Sequence, residues 1–174
     1  MNVLLINGSP HKKGCTYTAL SEVAGQLEKM FRALNSRFFD GELPEVVISL
    51  KKPIRGCIAC GACRETGLCV FDDDPVNECS GLLKAADGLI VGSPVYYAAP
   101  NGALCAFLDR LFYMKSGAYA YKPAAAVVSC RRGGASAAFD RLNKYFTISC
   151  MPIVSSQYWN SVHGNTPEEV RQDK

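Results

Sequence analysis

Residues 2–20 read NVLLINGSPHKKGCTYTAL, and this stretch decides the fold of the chain. The apolar run Val3–Ile6 has the length of a buried central strand, and the turn residues Asn7–Pro10 follow it at once. A small basic loop comes next, and either Thr16 or Thr18 is placed to cap the start of a helix. A strand, a loop rich in Ser and Gly and a helix start direct N–H groups and hydroxyls towards one point. We therefore predict that a phosphate group binds there.

Three common phosphate-binding motifs do not match this loop. The G-x-G-x-x-G motif fails because Pro10 stands two residues after Gly8, and the Walker motif fails because Gly14 is followed by Cys15 rather than by Lys. A response-regulator domain needs acidic residues at the ends of its first and third strands, and this sequence has none there. The alternative without a ligand, a solvated turn that caps a helix, stays open at this point.

The composition indicates one globular domain over residues 1–174. Of the residues 48% are hydrophobic and 20% are charged, and no apolar run is long enough to cross a membrane. The net charge of +3 is scattered, which argues against a nucleic-acid partner. The first strand begins at Val3, so we expect no signal peptide, and nine cysteines without one favour the reducing cytoplasm.

Further along the chain, short apolar runs alternate with amphipathic helical patterns. The runs predict strands at 45–50, 88–92, 124–129 and 153–156, and an irregular Cys-rich insertion loop interrupts the alternation at about 51–74. The helical patterns have apolar stripes, among them Leu104, Phe107, Leu108, Leu111 and Phe112 after Pro100, a residue that suits a first helical turn. We therefore predict an α/β fold of three layers, with a doubly wound, five-stranded parallel sheet.

Ligands of such sheets bind outside the carboxyl ends of the strands. The most distinctive loops of this sequence are predicted to lie there: 9–16 after the first strand, 94–97 after the third and 130–134 after the fourth. This agreement between motif and topology predicts a ligand site at that edge.

The loop GSPHKKGCT at residues 8–16 resembles the FMN-phosphate loop of NAD(P)H-dependent FMN reductases and related flavodoxin-like oxidoreductases, which is close to GSPRxxGNT. His11 replaces Arg and Cys15 replaces Asn, whereas Ser9, Gly14 and Thr16 are kept. The resemblance continues in SPVYY at 93–97, LDR at 108–110, RRGG at 131–134 and YWNSVHG at 158–164. It implies a flavodoxin-like strand order of 2-1-3-4-5, with FMN as the bound cofactor and NAD(P)H as the electron donor.

The resemblance also assigns residues to the cofactor. Tyr96 and Tyr97 would form a wall against the flavin ring, and Gly133 and Gly134 would allow close approach of the backbone. Ordinary packing of the tyrosines and a solvated arginine loop remain alternatives. No catalytic side chain is expected, because the flavin carries the chemistry. The predicted FMN-binding residues are Ser9, His11, Lys12, Gly14, Cys15, Thr16, Pro94, Val95, Tyr96, Tyr97, Arg131, Arg132, Gly133 and Gly134.

Four cysteines in the insertion loop suggest a second redox centre. Cys57, Cys60, Cys63 and Cys69 have the spacing C-x2-C-x2-C-x5-C, which resembles the compact motif of iron–sulfur flavoproteins and implies a [4Fe–4S] cluster. A zinc site is disfavoured because structural zinc sites usually have two separated pairs of ligands. A similar loop without a cluster is the remaining alternative. We expect Asp109 and Arg110 to form a structural ion pair.

Two functions follow from the resemblance. The first is an NAD(P)H oxidoreductase that passes electrons through FMN to a quinone, a flavin or another small-molecule acceptor. The second is an electron carrier with FMN and a [4Fe–4S] cluster that serves a redox protein partner. The family implies a homodimer or homotetramer. The capping box Thr166–Glu169 opens a helix although the sequence ends at Lys174, so we expect a partner subunit or further chain to cover that face.

Overall fold

The computed structural model describes residues 2–34, 53–114 and 117–173. The predicted strand at 45–50 and the first residues of the insertion loop lie outside these ranges. No helix within them has both the length and the apolar character needed to cross a membrane. The elements follow in chain order as β1 (Val3–Asn7), α1 (Cys15–Leu34), α2 (Cys63–Thr66), α3 (Val76–Ala85), β2 (Gly88–Tyr96), β3 (Ala99–Pro100), α4 (Gly102–Met114), β4 (Ala124–Cys130), α5 (Ala135–Ile148), β5 (Ser161–His163) and α6 (Pro167–Gln172).

The sheet has the order β1-β2-β4-β5, and these four strands run parallel. Leu4 pairs with Leu89, and Leu89 pairs in turn with Ala124. The two-residue strand β3 pairs antiparallel with the end of β2. β1, β2 and β4 correspond to the predicted strands 1, 3 and 4, and β5 takes the place expected for the fifth strand from a different segment. The order agrees with the prediction over the described residues. The predicted flavodoxin-like α/β class is confirmed.

Helices cover both faces of the sheet, because successive side chains of each strand point to opposite sides. Leu4 and Ile6 belong to the larger core, which β1 shares with α3, α4 and α5. Val3 and Leu5 face the other way and pack with Leu20 of α1. The apolar runs therefore form a central layer buried on both sides, as parallel sheets require.

The predicted apolar stripe of α4 is confirmed, but this helix starts later than expected. All five predicted apolar residues of α4 are buried. Pro100, however, lies in β3 rather than in the first turn of α4, which begins at Gly102. At the other end of the chain, Thr166 caps α6 as predicted, because its hydroxyl accepts a hydrogen bond from the Glu169 N–H at 3.3 Å.

The predicted fifth strand at 153–156 was misplaced. Only Ile153 forms a β-bridge there, with Ala124, and Val154 is 53% exposed. The chain then leaves the sheet and returns as β5, which pairs with Val128–Cys130. β5 is an edge strand, and an edge strand has one unpaired side and tolerates polar residues. The greater apolar content of 153–156 therefore did not identify the strand correctly.

Candidate functional site

Three parallel strands end at the same edge of the sheet, and their following loops form the candidate site. β1 ends at Asn7, β2 at Tyr96 and β4 at Cys130. Parallel neighbours place their carboxyl ends side by side, so the loops that follow these strands are brought together. The loops predicted from the sequence are therefore adjacent in the structure.

The loop after β1 is fixed to two other strands. The Gly8 N–H donates to the Gly92 carbonyl at 2.8 Å, which holds the loop against β2. The hydroxyls of Thr16 and Ser129 are hydrogen-bonded at 2.8 Å, which holds it against β4. Within the loop, the Ser9 hydroxyl accepts the His11 N–H at 3.1 Å. Ser9 and Thr16 are both buried, so their hydroxyls lie inside a closely packed turn.

This loop ends at the N-terminus of α1, where an anion is favoured. α1 begins at Cys15, and the first hydrogen bond of helical spacing runs from the Thr18 N–H to the Gly14 carbonyl at 3.0 Å. The amide groups of residues 15–17 precede that bond, and such amides have no acceptor within their helix. The predicted caps were wrong: neither Thr16 nor Thr18 precedes the helix, and the Thr18 hydroxyl donates to the Gly14 carbonyl at 3.2 Å.

The charges and polar atoms around this helix start suit a phosphate group. The side chains of His11, Lys12 and Lys13 are exposed, and Gly14 and Cys15 are half-buried. The buried Asn7 side chain accepts the Ser9 N–H at 3.0 Å, while its Nδ2 has no hydrogen-bond partner among the described residues. Exposed cations, buried hydroxyls and free helix amides are the donors that a phosphate monoester needs, so the residues present fit the phosphate of FMN.

Ser93 and Asn101 connect this loop to the hairpin formed by β2 and β3. The Asn101 side chain donates to the Gly8 carbonyl at 2.8 Å, and its backbone N–H donates to the Ser93 hydroxyl at 3.0 Å. Neither residue was predicted to belong to the site. Ser93 belongs to the SPVYY segment, but that resemblance assigns it no role, and Asn101 is a single polar residue next to Pro100 that matches no motif.

The loops after β2 and β4 touch each other. Gly134 has a φ of 89°, and a Cβ atom at this position would lie 2.9 Å from the Ala98 Cα and 3.3 Å from the Val95 side chain. Only glycine permits both this conformation and this contact. The two loops therefore form a continuous surface beside the loop after β1.

The aromatic side chains on this surface are open to solvent. Tyr96 is 45% exposed and Tyr97 is fully exposed, whereas Pro94 and Val95 are half-buried. Tyr97 has a φ of 50°, a left-handed conformation that holds its side chain away from the core. Such rings are available to form a wall for a flat ligand.

The loop after β4 contributes cations and small residues. Arg131, Arg132 and Gly133 are exposed, and Gly134 is half-buried. The Cys130 carbonyl accepts the Gly164 N–H at 3.0 Å, and the Gly164 carbonyl accepts a hydrogen bond from the Cys15 thiol at 3.8 Å. The segment after β5 is thus tied to both the helix start and the arginine loop.

The four cysteines of the insertion loop line one pocket together with Phe71 and Arg110. Cys57 and Cys60 are exposed, and Cys63 and Cys69 are half-buried. Within residues 2–34, 53–114 and 117–173, no three Cys, His, Asp or Glu side chains are gathered closely enough to hold a metal ion.

The donor set of this pocket nevertheless fits an iron–sulfur cluster. Four cysteines are the ligands that such clusters use. Ala59 and Gly61, with φ values of 54° and 77°, turn the backbone within the loop. The Ala59 N–H donates to the Cys57 sulfur at 3.4 Å, a contact that stabilises negative charge on sulfur.

Asp109 and Arg110 do not form the ion pair with each other that the sequence suggested. Arg110 is buried and pairs with the buried carboxylate of Asp74. Asp109 instead accepts a hydrogen bond from the Tyr145 hydroxyl and lies 3.5 Å from Arg141. Burial and the neighbouring Asp109 carboxylate both raise the pKa of Tyr145, so this phenol stays protonated. Adjacent positions on a helix point in different directions, which explains the two separate partners.

Comparison with known proteins agrees with this geometry. The chain matches the profile of the NADPH-dependent FMN reductase family over residues 1–166. An iron-sulfur flavoprotein of Methanocaldococcus jannaschii is 30% identical, with 99% of this chain and 88% of the relative covered. An NADPH azoreductase of a Bacillus species is 31% identical, with 79% of this chain and 64% of the relative covered. The structure of an archaeal flavodoxin superposes with a TM-score of 0.60 at 14% identity, with 99% of this chain and 90% of that chain covered, which shows a shared fold.

Proposed function

Because the chain belongs to the NADPH-dependent FMN reductase family, we propose that it oxidises NADPH or NADH with FMN held at the carboxyl edge of the sheet. FMN supplies the hydride-accepting chemistry when it is bound, and the acceptor is a quinone, a flavin or another small molecule. One observation carries this proposal: the loops after β1, β2 and β4 meet at that edge. The relative named NADPH azoreductase supports a small-molecule acceptor.

The loop after β1 holds the phosphate in this proposal. The amides at the start of α1 and the hydroxyls of Ser9 and Thr16 donate hydrogen bonds, and Lys12 adds positive charge. His11, Gly14 and Cys15 shape the same turn. The Thr16–Ser129 hydrogen bond keeps the turn in place before the ligand arrives, which lowers the entropic cost of binding.

The surface formed by the loops after β2 and β4 holds the flavin ring in this proposal. Tyr96 and Tyr97 lie against its flat face, and Pro94 and Val95 shape the pocket wall. Backbone groups at Gly133 and Gly134 approach the polar edge of the ring, and Arg131 and Arg132 attract the phosphates of the nicotinamide nucleotide.

Purification of the chain with its native cofactor tests this proposal. We expect a yellow protein that releases about one FMN per chain on denaturation and oxidises NADPH or NADH when an acceptor is supplied. A colourless protein that neither binds added FMN nor oxidises either nucleotide would contradict the proposal.

A second function, electron transfer to a redox protein through FMN and a [4Fe–4S] cluster, is favoured by one specific observation. Cys57, Cys60, Cys63 and Cys69 line the same pocket, and the M. jannaschii relative is named an iron-sulfur flavoprotein. A cluster supplies single-electron chemistry when bound. The cysteine side chains would converge from their present positions to hold it.

Anaerobic purification separates the two functions. Iron and sulfide at about four each per chain, beside FMN, would support the electron carrier. FMN without iron would contradict the electron carrier and support the NAD(P)H oxidoreductase. A Cys60→Ser variant should lose the iron and keep the FMN, because the cysteine pocket and the phosphate loop involve different residues.

The assembly and location belong to the same proposal. The exposed Tyr158 and Trp159 are aromatic surface that a second subunit can cover. We propose a homodimer or homotetramer in the cytoplasm, and light scattering of the purified protein measures its mass. A monomer at working concentrations would contradict the assembly without affecting the FMN site.

A further inference from the structure

Arg110 is a buried cation that the proposed function does not use. Its side chain is 1% exposed, and so is that of its partner Asp74. A buried charge is tolerated only when it is paired and its remaining donors are satisfied. Arg110 meets this condition by bonding to the Asp74 carboxylate, to the carbonyl of Phe71 at 3.0 Å and to that of Arg55 at 3.4 Å.

One donor of Arg110 is directed at a cysteine. Its Nε lies 3.1 Å from the sulfur of Cys69, and this N–H group donates to it. The guanidinium also lies 5.2 Å from the centre of the Phe71 ring. Every polar partner of Arg110 named here therefore lies in the insertion loop, between residues 55 and 74, whereas Arg110 itself belongs to α4 in the core.

Cys69 is also held through its backbone. Its N–H donates to the Asn77 side chain at 2.8 Å, and its carbonyl accepts from the same side chain at 3.0 Å. Cys69 is thus bonded at its nitrogen, oxygen and sulfur atoms. Cys57 and Cys60 are exposed by contrast, whereas Cys69 is held by side chains from α3 and α4.

We propose that Arg110 is a positioning residue for the four-cysteine pocket: it fixes Cys69 as the preformed ligand and donates an N–H group to its sulfur. The inference rests on the proposed iron–sulfur cluster. A hydrogen bond to a ligating sulfur offsets part of its negative charge, which favours the reduced state of a cluster and raises its reduction potential. The other cysteines then close around Cys69 when the cluster is loaded.

Arg110→Lys separates this role from a purely structural ion pair. Lysine keeps the positive charge for Asp74 but lacks the planar fork that reaches the carboxylate, the carbonyls and the sulfur at once. Arg171→Lys is the control. Arg171 belongs to α6 and pairs with Glu168 at 3.6 Å, and both side chains are more than half exposed.

The test uses the full chain in two states. In the apo protein, hydrogen exchange reports how firmly segment 69–74 is held. After anaerobic loading with iron and sulfide, a redox titration followed by absorbance reports the midpoint potential. For Arg110→Lys we expect about tenfold faster exchange in that segment and about a tenfold lower ratio of reduced to oxidised cluster at a fixed potential, the scale of one hydrogen bond to a charged group. Arg171→Lys should leave both readouts unchanged, because its ion pair lies within α6.

The outcomes test the positioning role of Arg110 and the proposed cluster separately. Wild-type exchange and an unchanged potential in Arg110→Lys would overturn the positioning role. A wild-type protein that takes up no iron would contradict the proposed cluster instead, while the exchange readout would still decide whether Arg110 holds Cys69. If Arg110→Lys does not fold, the Arg110 side chain of the wild-type apo protein decides: its Nε–H, followed by NMR, should exchange at least tenfold more slowly than that of the exposed Arg171, and equal exchange would overturn the inference.

Discussion

Thr16 shows how one side chain links the fold to the candidate site. It lies at the start of α1, is 1% exposed, and its hydroxyl is hydrogen-bonded to Ser129 of β4 at 2.8 Å. This bond crosses the sheet edge from α1, the helix that follows β1, to β4, which lies two strands away from β1. Thr16 therefore fixes the loop after β1 and also places a hydroxyl group beside it.

The first prediction concerns the two hydroxyls of this loop. Replacing Ser9 and Thr16 together by Ala removes two donors that the proposal assigns to the FMN phosphate. Each hydrogen bond to a charged group contributes about 1.5–3 kcal/mol, so the double variant should bind FMN about 100-fold more weakly or worse. Fluorescence titration with FMN measures the dissociation constant.

Thr147→Ala is the matched control for this measurement. Thr147 lies near the end of α5, and its hydroxyl donates only to the Lys144 carbonyl of its own helix. The control should bind FMN like the wild type. Unchanged FMN affinity in the Ser9/Thr16 double variant, with a native circular dichroism spectrum, would exclude these hydroxyls as phosphate donors.

The second prediction concerns the buried thiol of Cys79 in α3. Burial raises the pKa of Cys79 to about 12, because a thiolate would lose its hydration in the core. At pH 9 iodoacetamide should therefore label the exposed Cys57 and Cys60 in the folded protein and leave Cys79 unmodified until urea is added. Mass spectrometry of the digested protein measures the labelling.

The same shift predicts a pH dependence of stability. The unfolded chain releases the Cys79 proton at a lower pH than the folded chain, so the stabilisation is complete below the ordinary thiol pKa and is lost as the pH rises towards 12. Urea titrations across the alkaline range should show a shallower decline for Cys79→Ala. Identical slopes for the two proteins would contradict this assignment.

At the scale of elements, glycines allow the helices to pack against the loop after β1. A Cβ on Gly8 would lie 2.4 Å from the Leu104 side chain and 2.9 Å from the Gly92 carbonyl. A Cβ on Gly92 would lie 2.7 Å from the Leu20 side chain. β2 and the turn after β1 therefore depend on glycine to let α1 and α4 approach closely.

The third prediction is that Gly8→Ala destabilises the fold and the FMN site together. The added methyl group must displace both Leu104 and the strand backbone, which typically costs about 1–3 kcal/mol. Thermal unfolding and FMN titration measure the two effects. Gly25→Ala is the control, because a Cβ at Gly25 in α1 has no atom within 4 Å, and it should stabilise the helix by about 0.4–1 kcal/mol. Equal melting temperatures for the two variants would contradict the packing argument.

The elements also show where sequence patterns stop being informative. The strands β1, β2 and β4 were predicted because a strand buried on both faces needs an unbroken apolar run. β5 was misplaced because its pairing with Val128–Cys130 depends on the path of the exposed chain before it. No local pattern encodes that path.

At the scale of the whole molecule, topology made most of the site predictable. Once the parallel sheet was assigned, residues 9–16, 94–97 and 130–134 had to lie together at its carboxyl edge, where ligands of such sheets bind. The cysteine spacing likewise placed four thiols in one loop. The anchoring of that loop by Arg110 and Asp74 could not be foreseen, because the two residues lie 36 positions apart and the resemblance of LDR at 108–110 implies no contact with the cysteine loop.

The fourth prediction concerns the proposed FMN site and the proposed cluster pocket, which involve different residues. Cys57→Ser should abolish any iron uptake and leave FMN binding within about twofold of the wild type, because surface substitutions away from a site have small effects. Iron analysis and FMN titration on the same preparation measure both. A parallel loss of FMN would contradict the assignment of separate sites.

The most direct test of the account is a crystal structure of the chain with FMN. We expect the phosphate on the amides and hydroxyls of residues 9–16 and the ring along Tyr96, Tyr97 and Gly133–Gly134. An FMN bound at another surface, or a loop after β1 that stays empty at saturating FMN, would contradict the central claim.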